Sequence, residues 1–303
     1  MANVAHVGHA ELLTPELSAS QRFFVAVLGM TVVAEATNAV YLRGYGQYQR
    51  TDLKLSAATV PGLGHLGLRT PTGPALDRTA AELEARGRGR GWVDGDVGHG
   101  RAFRFEDSTG HVLELYWEVE RQTRRDPRGG AGVGVKRLDH ASLFSSDVRA
   151  DRELAQRVLG YRLLDRVLDE RGVEAGAWLT TSIAPLELVY VADLGGAPPR
   201  LHHLAFWVDT REEVLRAADV FTDHGVTIEV PPAQHGIGSS FFLYAYEPGG
   251  NRIEVTTGAD FVYDPDPETR TWTAAGRARG VGWGTRFPDS WRTYGTPVFE
   301  AGT

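Results

Sequence analysis

Hydrophobic and polar positions recur along this chain with two periods, one that marks strands and one that marks helices. The clearest helix covers residues 210–224. Thr210 and Glu213 have the spacing of a capping box, Val214, Leu215, Ala218 and Phe221 form an i, i+3/i+4 stripe, and Gly225 suits the position past the C-terminus. Residues 18–28, 78–86 and 151–159 read as the equivalent helices, stopped by Gly29, Gly87 and Gly160. Ahead of a helix stands a short alternating segment that carries a histidine, as in Val-Gly-His-Ala-Glu-Leu-Leu and Arg-Leu-Asp-His-Ala-Ser-Leu-Phe. Strand-like stretches follow, such as 241–246, the turn Glu247-Pro-Gly-Gly-Asn251 and a strand over 252–256. This pattern predicts an α+β fold of four βαβββ repeats. They pair into tandem modules over 1–122 and 136–258, each closing a cup around a central cavity. The stretch 121–135, rich in Arg, Gly and Pro, reads as the linker. After Gly258 the periodicity ends, and 259–303 reads as a tail packing on a domain or on a neighbouring subunit, its Trp and Arg residues serving packing rather than substrate contact.

The repeats carry chemistry. His9 and His140 each precede a Val-Leu-Gly whose glycine, Gly29 or Gly160, lies twenty positions on. A second histidine follows in each half, His65 in Gly-Leu-Gly-His-Leu-Gly-Leu and His203 in Arg-Leu-His-His-Leu-Ala-Phe. A carboxylate comes four residues after a glycine, Glu114 in one half and Glu254 in the other. The offsets between copies are 131, 138 and 140 residues, so the chain is a tandem duplication. A strand points alternate side chains to one face, so three ligands from three strands can converge in one cup. Two neutral imidazoles and a carboxylate form the facial triad that suits Fe(II), leaving about three coordination positions for a chelating substrate and dioxygen. His235 can donate or accept a proton near neutral pH, and Tyr244, on a strand neighbouring Glu254, can hydrogen-bond an oxyanion.

Composition narrows the class. The 303 residues suffice for two domains, and 42% apolar residues support real cores. A net charge of −7 argues against a nucleic-acid surface and gives no reason to expect membrane binding. The Arg-Gly-Arg-Gly-Arg run at 86–90 is short and lacks interleaved aromatics, so it reads as a solvated loop. No apolar run is long enough to span a bilayer and no signal peptide is read, so a cytoplasmic protein is expected. With no cysteine, thiolate chemistry is excluded.

These residues resemble the type I extradiol ring-cleaving dioxygenases of the vicinal oxygen chelate superfamily. The resemblance lies in Leu-Asp-His140, Arg-Leu-His-His203-Leu-Ala-Phe and His235-Gly-(x)7-Tyr244-(x)5-Gly-Asn-Arg-Ile-Glu254, and is strongest to the catechol 2,3-dioxygenase and homoprotocatechuate 2,3-dioxygenase branch. It implies tandem modules shaped as cup-like half-barrels, with the C-terminal one catalytic. It implies His140, His203 and Glu254 as ligands of Fe(II), with Mn(II) as the alternative, and O2 as co-substrate. His235 and Tyr244 would bind and polarise the oxygens of a small aromatic diol. It also implies a homo-oligomer. Ser142, Val189, His202 and Arg279 are further candidates for contacts around the metal or the substrate, although His202 reads mainly as structural. Val189 stands where the family usually has an acid/base histidine, and Val230 where homoprotocatechuate enzymes hold a substrate carboxylate with arginine; Arg279 neighbours a second such position at Gly280. A catechol without a carboxylate is therefore expected. His9, His65 and Glu114 read as remnants of the duplication kept for packing or hydrogen bonding, since Arg104 replaces the tyrosine and His99 is out of register with His235. His6, His111 and His224 are expected at the surface.

Two other readings remain open. One is a related metal-dependent oxygenase acting on another chelating substrate in natural-product metabolism, which Val189 motivates. The other is a non-catalytic ligand-binding member of the superfamily, which has no need of a complete triad. A glyoxalase-type isomerase fits less well, because that group uses more carboxylate ligands.

Overall fold

The computed structural model describes residues 2–122, 132–197, 199–273, 276 and 286–300. The N-terminal half contains β1 (His6–Thr14), α1 (Leu17–Arg22), β2 (Thr31–Ala36), β3 (Ala39–Arg43) and β4 (Leu53–Ala57). It continues with β5 (Gly62–Arg69), α2 (Gly73–Ala85), β6 (Gly89–Val93), β7 (Ala102–Glu106) and β8 (Val112–Tyr116). The C-terminal half repeats the order with β9 (Arg137–Ser145), α3 (Val148–Leu154), β10 (Arg162–Leu168), β11 (Glu174–Thr180) and β12 (Leu188–Ala192). Then come β13 (Arg200–Trp207), α4 (Arg211–Asp223), β14 (Ile228–Gln234), β15 (Phe241–Tyr246) and β16 (Arg252–Thr257).

Each half is one mixed sheet made of two βαβββ units, joined where the first strands of the units pair antiparallel. The orders are β2-β3-β4-β1-β5-β8-β7-β6 and β14-β15-β16-β13-β9-β12-β11-β10. The central strands are buried on both faces. On β9, Ala141 and Leu143 point into the hydrophobic core, while His140, Ser142 and Phe144 line the opposite, concave side. Among the described residues no helix is long and apolar enough to cross a membrane.

The helices depart from the sequence pattern at their ends. Thr72 caps α2 by accepting from Ala75 N, with a proline in the first turn, so this helix starts well before residue 78. The capping box of Thr210 and Glu213 is formed. The first helix of each half closes with a π-helical turn, Phe23–Val27 or Ala155–Leu159, ahead of Gly29 and Gly160 at φ of 78° and 81°. The Arg-rich run is not a loop throughout, since Gly89 and Arg90 begin the exposed strand β6.

Two reciprocal clasps join the halves. The turn after β15 reaches the start of the chain: Glu247 accepts from Ser20 Oγ at 2.6 Å, and Asn251 Nδ2 donates to Leu13 O at 3.0 Å. The duplicated turn after β7 reaches the C-terminal half. There Asp107 accepts from His111 Nδ1 at 2.7 Å and Tyr190 Oη at 3.0 Å, and Asp151 accepts from Thr109 N at 3.0 Å. His111, expected at the surface, is therefore fully buried, and His6 is half-buried with its ring 2.6 Å from Tyr48 Oη; His224 is exposed.

Burial, and then the charge of Asp107, pushes the Asp151 carboxyl up to about 6. Its unfolded value is about 3.9, so the stability it confers is complete below about pH 4 and is lost as the pH rises through about 6. Asp151→Asn cannot ionise, and should lose less thermal stability than the wild type between about pH 4 and pH 7. Melting curves whose pH dependence is parallel in the two proteins would contradict this assignment.

Candidate metal centre

Three strands of the C-terminal sheet bring three donor atoms together. His140 on β9 and His203 on β13 face each other with Nε2 atoms 3.2 Å apart, and Glu254 Oε2 on β16 lies 3.1 Å and 3.0 Å from them. Register explains the meeting: Ala205 of β13 lies between His140 and Glu254 as the partner of both. All three side chains are buried, yet neither Glu254 oxygen has a hydrogen-bond partner. A buried carboxylate without donors is costly unless a cation takes their place. Burial opposes charge on Glu254, but His140 and His203 outweigh it and hold its pKa far below the usual range. Burial likewise opposes charge on His140, but Glu254 and Asp139 raise it to about 9, whereas burial lowers His203 to about 4. These opposed shifts are what a negative carboxylate does to two imidazoles packed around it, and a divalent cation at the same point would take over that charge balance.

The neighbours fix which ring nitrogen faces the centre. Asp139 Oδ2 accepts from His140 Nδ1 at 3.0 Å, and Arg137 holds the other Asp139 oxygen at 2.7 Å. A β-bulge between Leu201 and His203 breaks the alternation of β13, so His202 and His203 both reach the cavity. Their Nδ1 atoms are 2.6 Å apart, and His202 Nε2 donates to Trp291 O at 2.9 Å. His202 Nδ1 must then accept from His203 Nδ1, leaving His203 Nε2 as a lone pair toward Glu254. Orienting partners of this kind are typical around metal-bound imidazoles.

The donors floor a cavity of about 210 Å³. Val167, Trp178, Leu186, Val189, Val191 and Leu194 make its walls largely apolar. His235, in the β14–β15 loop, shares a proton with Tyr244 Oη across 2.9 Å and stacks on Phe242. Burial lowers His235 to about 4 and pushes the Tyr244 hydroxyl far up, so both are neutral at pH 7.

The structure thus gathers His140, His203, Glu254, His235, Tyr244, Ser142, Val189 and His202 around one cavity. Arg279 lies outside the described residues. Val230 is buried against Tyr244 and does not line the cavity.

The tail packs against the C-terminal half at this cavity. Phe287 and Trp291 roof the cavity, Trp291 4.2 Å from the Tyr244 ring and stacked on His203. Buried Arg252 holds this segment by donating to Ser290 O and Tyr294 O, with Glu229 as its ion-pair partner. The tail also extends the sheet through β17 (Arg270–Trp272) and β18 (Thr296–Pro297). Trp178, Phe287 and Trp291 carried no spacing signal. Asp139 sat in the Leu-Asp-His motif, where an acid beside a ligand histidine was the available clue.

The chain matches the Glyoxalase/Bleomycin resistance protein/Dioxygenase superfamily over residues 6–115 and 137–255. It is 40% identical to a metapyrocatechase of Geobacillus stearothermophilus, across 98% of this chain and 94% of that protein. It is 29% identical to a manganese-dependent 2,3-dihydroxybiphenyl 1,2-dioxygenase of Geobacillus genomosp. 3, across 93% and 94% of the two. The solved substrate complex of homoprotocatechuate 2,3-dioxygenase from Brevibacterium fuscum superposes with a TM-score of 0.89 at 28% identity. That superposition covers 99% of this chain and 94% of that one.

Removing the acceptor for His203 should loosen the centre without deleting a donor. His202→Phe is expected to weaken divalent-metal affinity by about 10- to 100-fold, read by competition with a chelator. Unchanged affinity in a folded variant would mean that His202 merely packs.

Proposed function

The chain belongs to the Glyoxalase/Bleomycin resistance protein/Dioxygenase superfamily and is an extradiol dioxygenase, and on that premise we propose that His140, His203 and Glu254 hold its metal, Fe(II). The observation that carries this reading is the buried Glu254 carboxylate, unpartnered by any donor and faced by two oriented imidazole nitrogens. Two imidazoles and one carboxylate suit Fe(II), and the same set accepts Mn(II). The substrate class we infer is a catechol, unsubstituted or carrying an apolar group, because Val167, Trp178, Leu186, Val189 and Val191 make the cavity walls largely apolar, with Arg292 the one arginine among the described lining residues.

A divalent metal held by His140, His203 and Glu254 would supply a chelation point for a diol and a path for electrons to dioxygen. The protein does the rest. Asp139 and His202 hold the two imidazoles in the ligating tautomer. Neutral His235 takes a phenolic proton as the diol binds, and Tyr244 keeps its hydroxyl proton to donate to a substrate oxygen. Val189 brings no acid or base to its wall, so proton handling rests on the His235–Tyr244 pair. Phe287 and Trp291 close the roof, exclude water and confine the ring.

Anaerobic metal analysis followed by oxygen uptake tests this directly. The expected result is iron in the purified protein, uptake with catechol and with alkyl- or phenyl-substituted catechols, and a new yellow ring-opened product. Bound metal without uptake on any catechol would overturn the substrate class and favour another chelating substrate; a metal-free protein that still binds ligand would overturn the enzyme reading.

His235→Asn should lower kcat/KM by about 10²- to 10⁴-fold with metal content unchanged. A variant as fast as wild type would remove His235 from proton transfer.

A further inference from the structure

The N-terminal half contains a second convergence of donors. His9 Nε2 on β1 lies 3.0 Å from His65 Nε2 on β5 and 3.5 Å from Glu114 Oε1 on β8. His65 Nε2 is 3.7 Å from the same oxygen, and His99 Nε2, from the β6–β7 loop, is 3.6 Å from it. We propose that His9, His65, His99 and Glu114 hold a second divalent metal ion, in a closed structural site distinct from the catalytic one.

Three independent features support it. First, Glu114 is 1% exposed and its Oε1 has no hydrogen-bond partner, although it is aimed at three imidazole nitrogens. Arg104 Nε donates to the other oxygen, Oε2, at 3.0 Å, which leaves Oε1 as the one free ligand atom. Second, two of the rings are already oriented for ligation. His65 Nδ1 donates to Glu11 Oε2 at 3.0 Å and His99 Nδ1 to Gly100 O at 2.9 Å, so both present an Nε2 lone pair to the centre. Glu11 is itself held by Ser56 and Lys54, so this partner is fixed rather than mobile. Third, the donor atoms of His9, His99 and Glu114 all lie within 4.8 Å of one another, and His65 Nε2 adds contacts of 3.0 Å to His9 and 3.7 Å to Glu114. For ligands about 2.1 Å from a metal, the gaps of the three imidazoles to Glu114 and of His9 to His65 subtend roughly 90–125°, the range of tetrahedral to octahedral coordination.

The two centres differ in what they leave open. In the catalytic half the corresponding hairpin loop gives His235, which turns to Tyr244 and leaves the metal positions free. In the N-terminal half that loop gives His99, which turns to Glu114 and fills a fourth position. Arg104 replaces Tyr244 beside the carboxylate, opposite Glu114 in the β7–β8 register as Tyr244 is opposite Glu254. The adjoining cavity is only about 10 Å³, room for a single water-sized occupant and none for a diol. Three nitrogens and one oxygen with no open position suit Zn(II), a structural ion that here ties three strands and a loop together.

The full-length protein, stripped with a chelator and reloaded anaerobically with Zn(II) or Co(II), should bind two ions per chain. His99→Ala and Glu114→Gln should each bind one, with ring-cleavage kcat within about twofold of wild type once Fe(II) is restored. His203→Ala, which removes the catalytic site, should keep one ion, and its retention of an ion does not depend on either N-terminal variant folding. A wild type that binds one ion, together with a His203→Ala protein that binds none, would overturn the proposal. So would two ions in both folded N-terminal variants.

Discussion

A carboxylate buried without a proton donor is the constraint on which the rest of this molecule depends. Glu254 is out of reach of water and accepts no hydrogen bond. Everything near it is arranged to make that tolerable only with a cation. Asp139 and His202 take the outer ring protons, the bulge in β13 brings two consecutive histidines to one side, and β9, β13 and β16 fix the register. The arrangement extends to the tail, because His202 reaches its orientation by donating to Trp291 O. Arg252, buried and ion-paired with Glu229, pins that same segment over the cavity. The roof, His203 and the ion pair therefore form one connected unit.

Duplication explains both the likeness and the division of labour between the halves. Each sheet brings His, His and Glu from equivalent strands to one point, and each lends a turn that clasps the other half. The sites then diverge through neighbours rather than through the ligands. An apolar cavity, Tyr244 and His235 surround one cluster, while Arg104, His99 and a cavity of only about 10 Å³ surround the other. Glu300 of the tail reaches Arg104 at 3.2 Å, so the same terminal segment touches both centres.

Much of this was legible in the sequence because ligand geometry needs fixed spacing. The triad, His235 and Tyr244 repeat or match at set intervals along strands, and the capping box of Thr210 and Glu213 marks the start of α4. The features that the sequence pattern hides depend on partners distant along the chain. His111 resembled a surface residue because Tyr190, which donates to the same Asp107 carboxylate that His111 holds, comes from the other half of the chain. His99 was out of register because its hairpin loop is longer than the one carrying His235, yet the loop folds it back to Glu114. Trp291 and Phe287 sit in a stretch without periodicity, where only the pull of Arg252 reveals their place.

An anaerobic crystal structure of the iron-loaded protein with catechol would be the most direct test of the catalytic centre. The expected map shows iron bound by His140 Nε2, His203 Nε2 and Glu254, chelated by both catechol oxygens, with His235 and Tyr244 at hydrogen-bond distance from the substrate. Iron held by other residues, or catechol bound away from the metal, would contradict it.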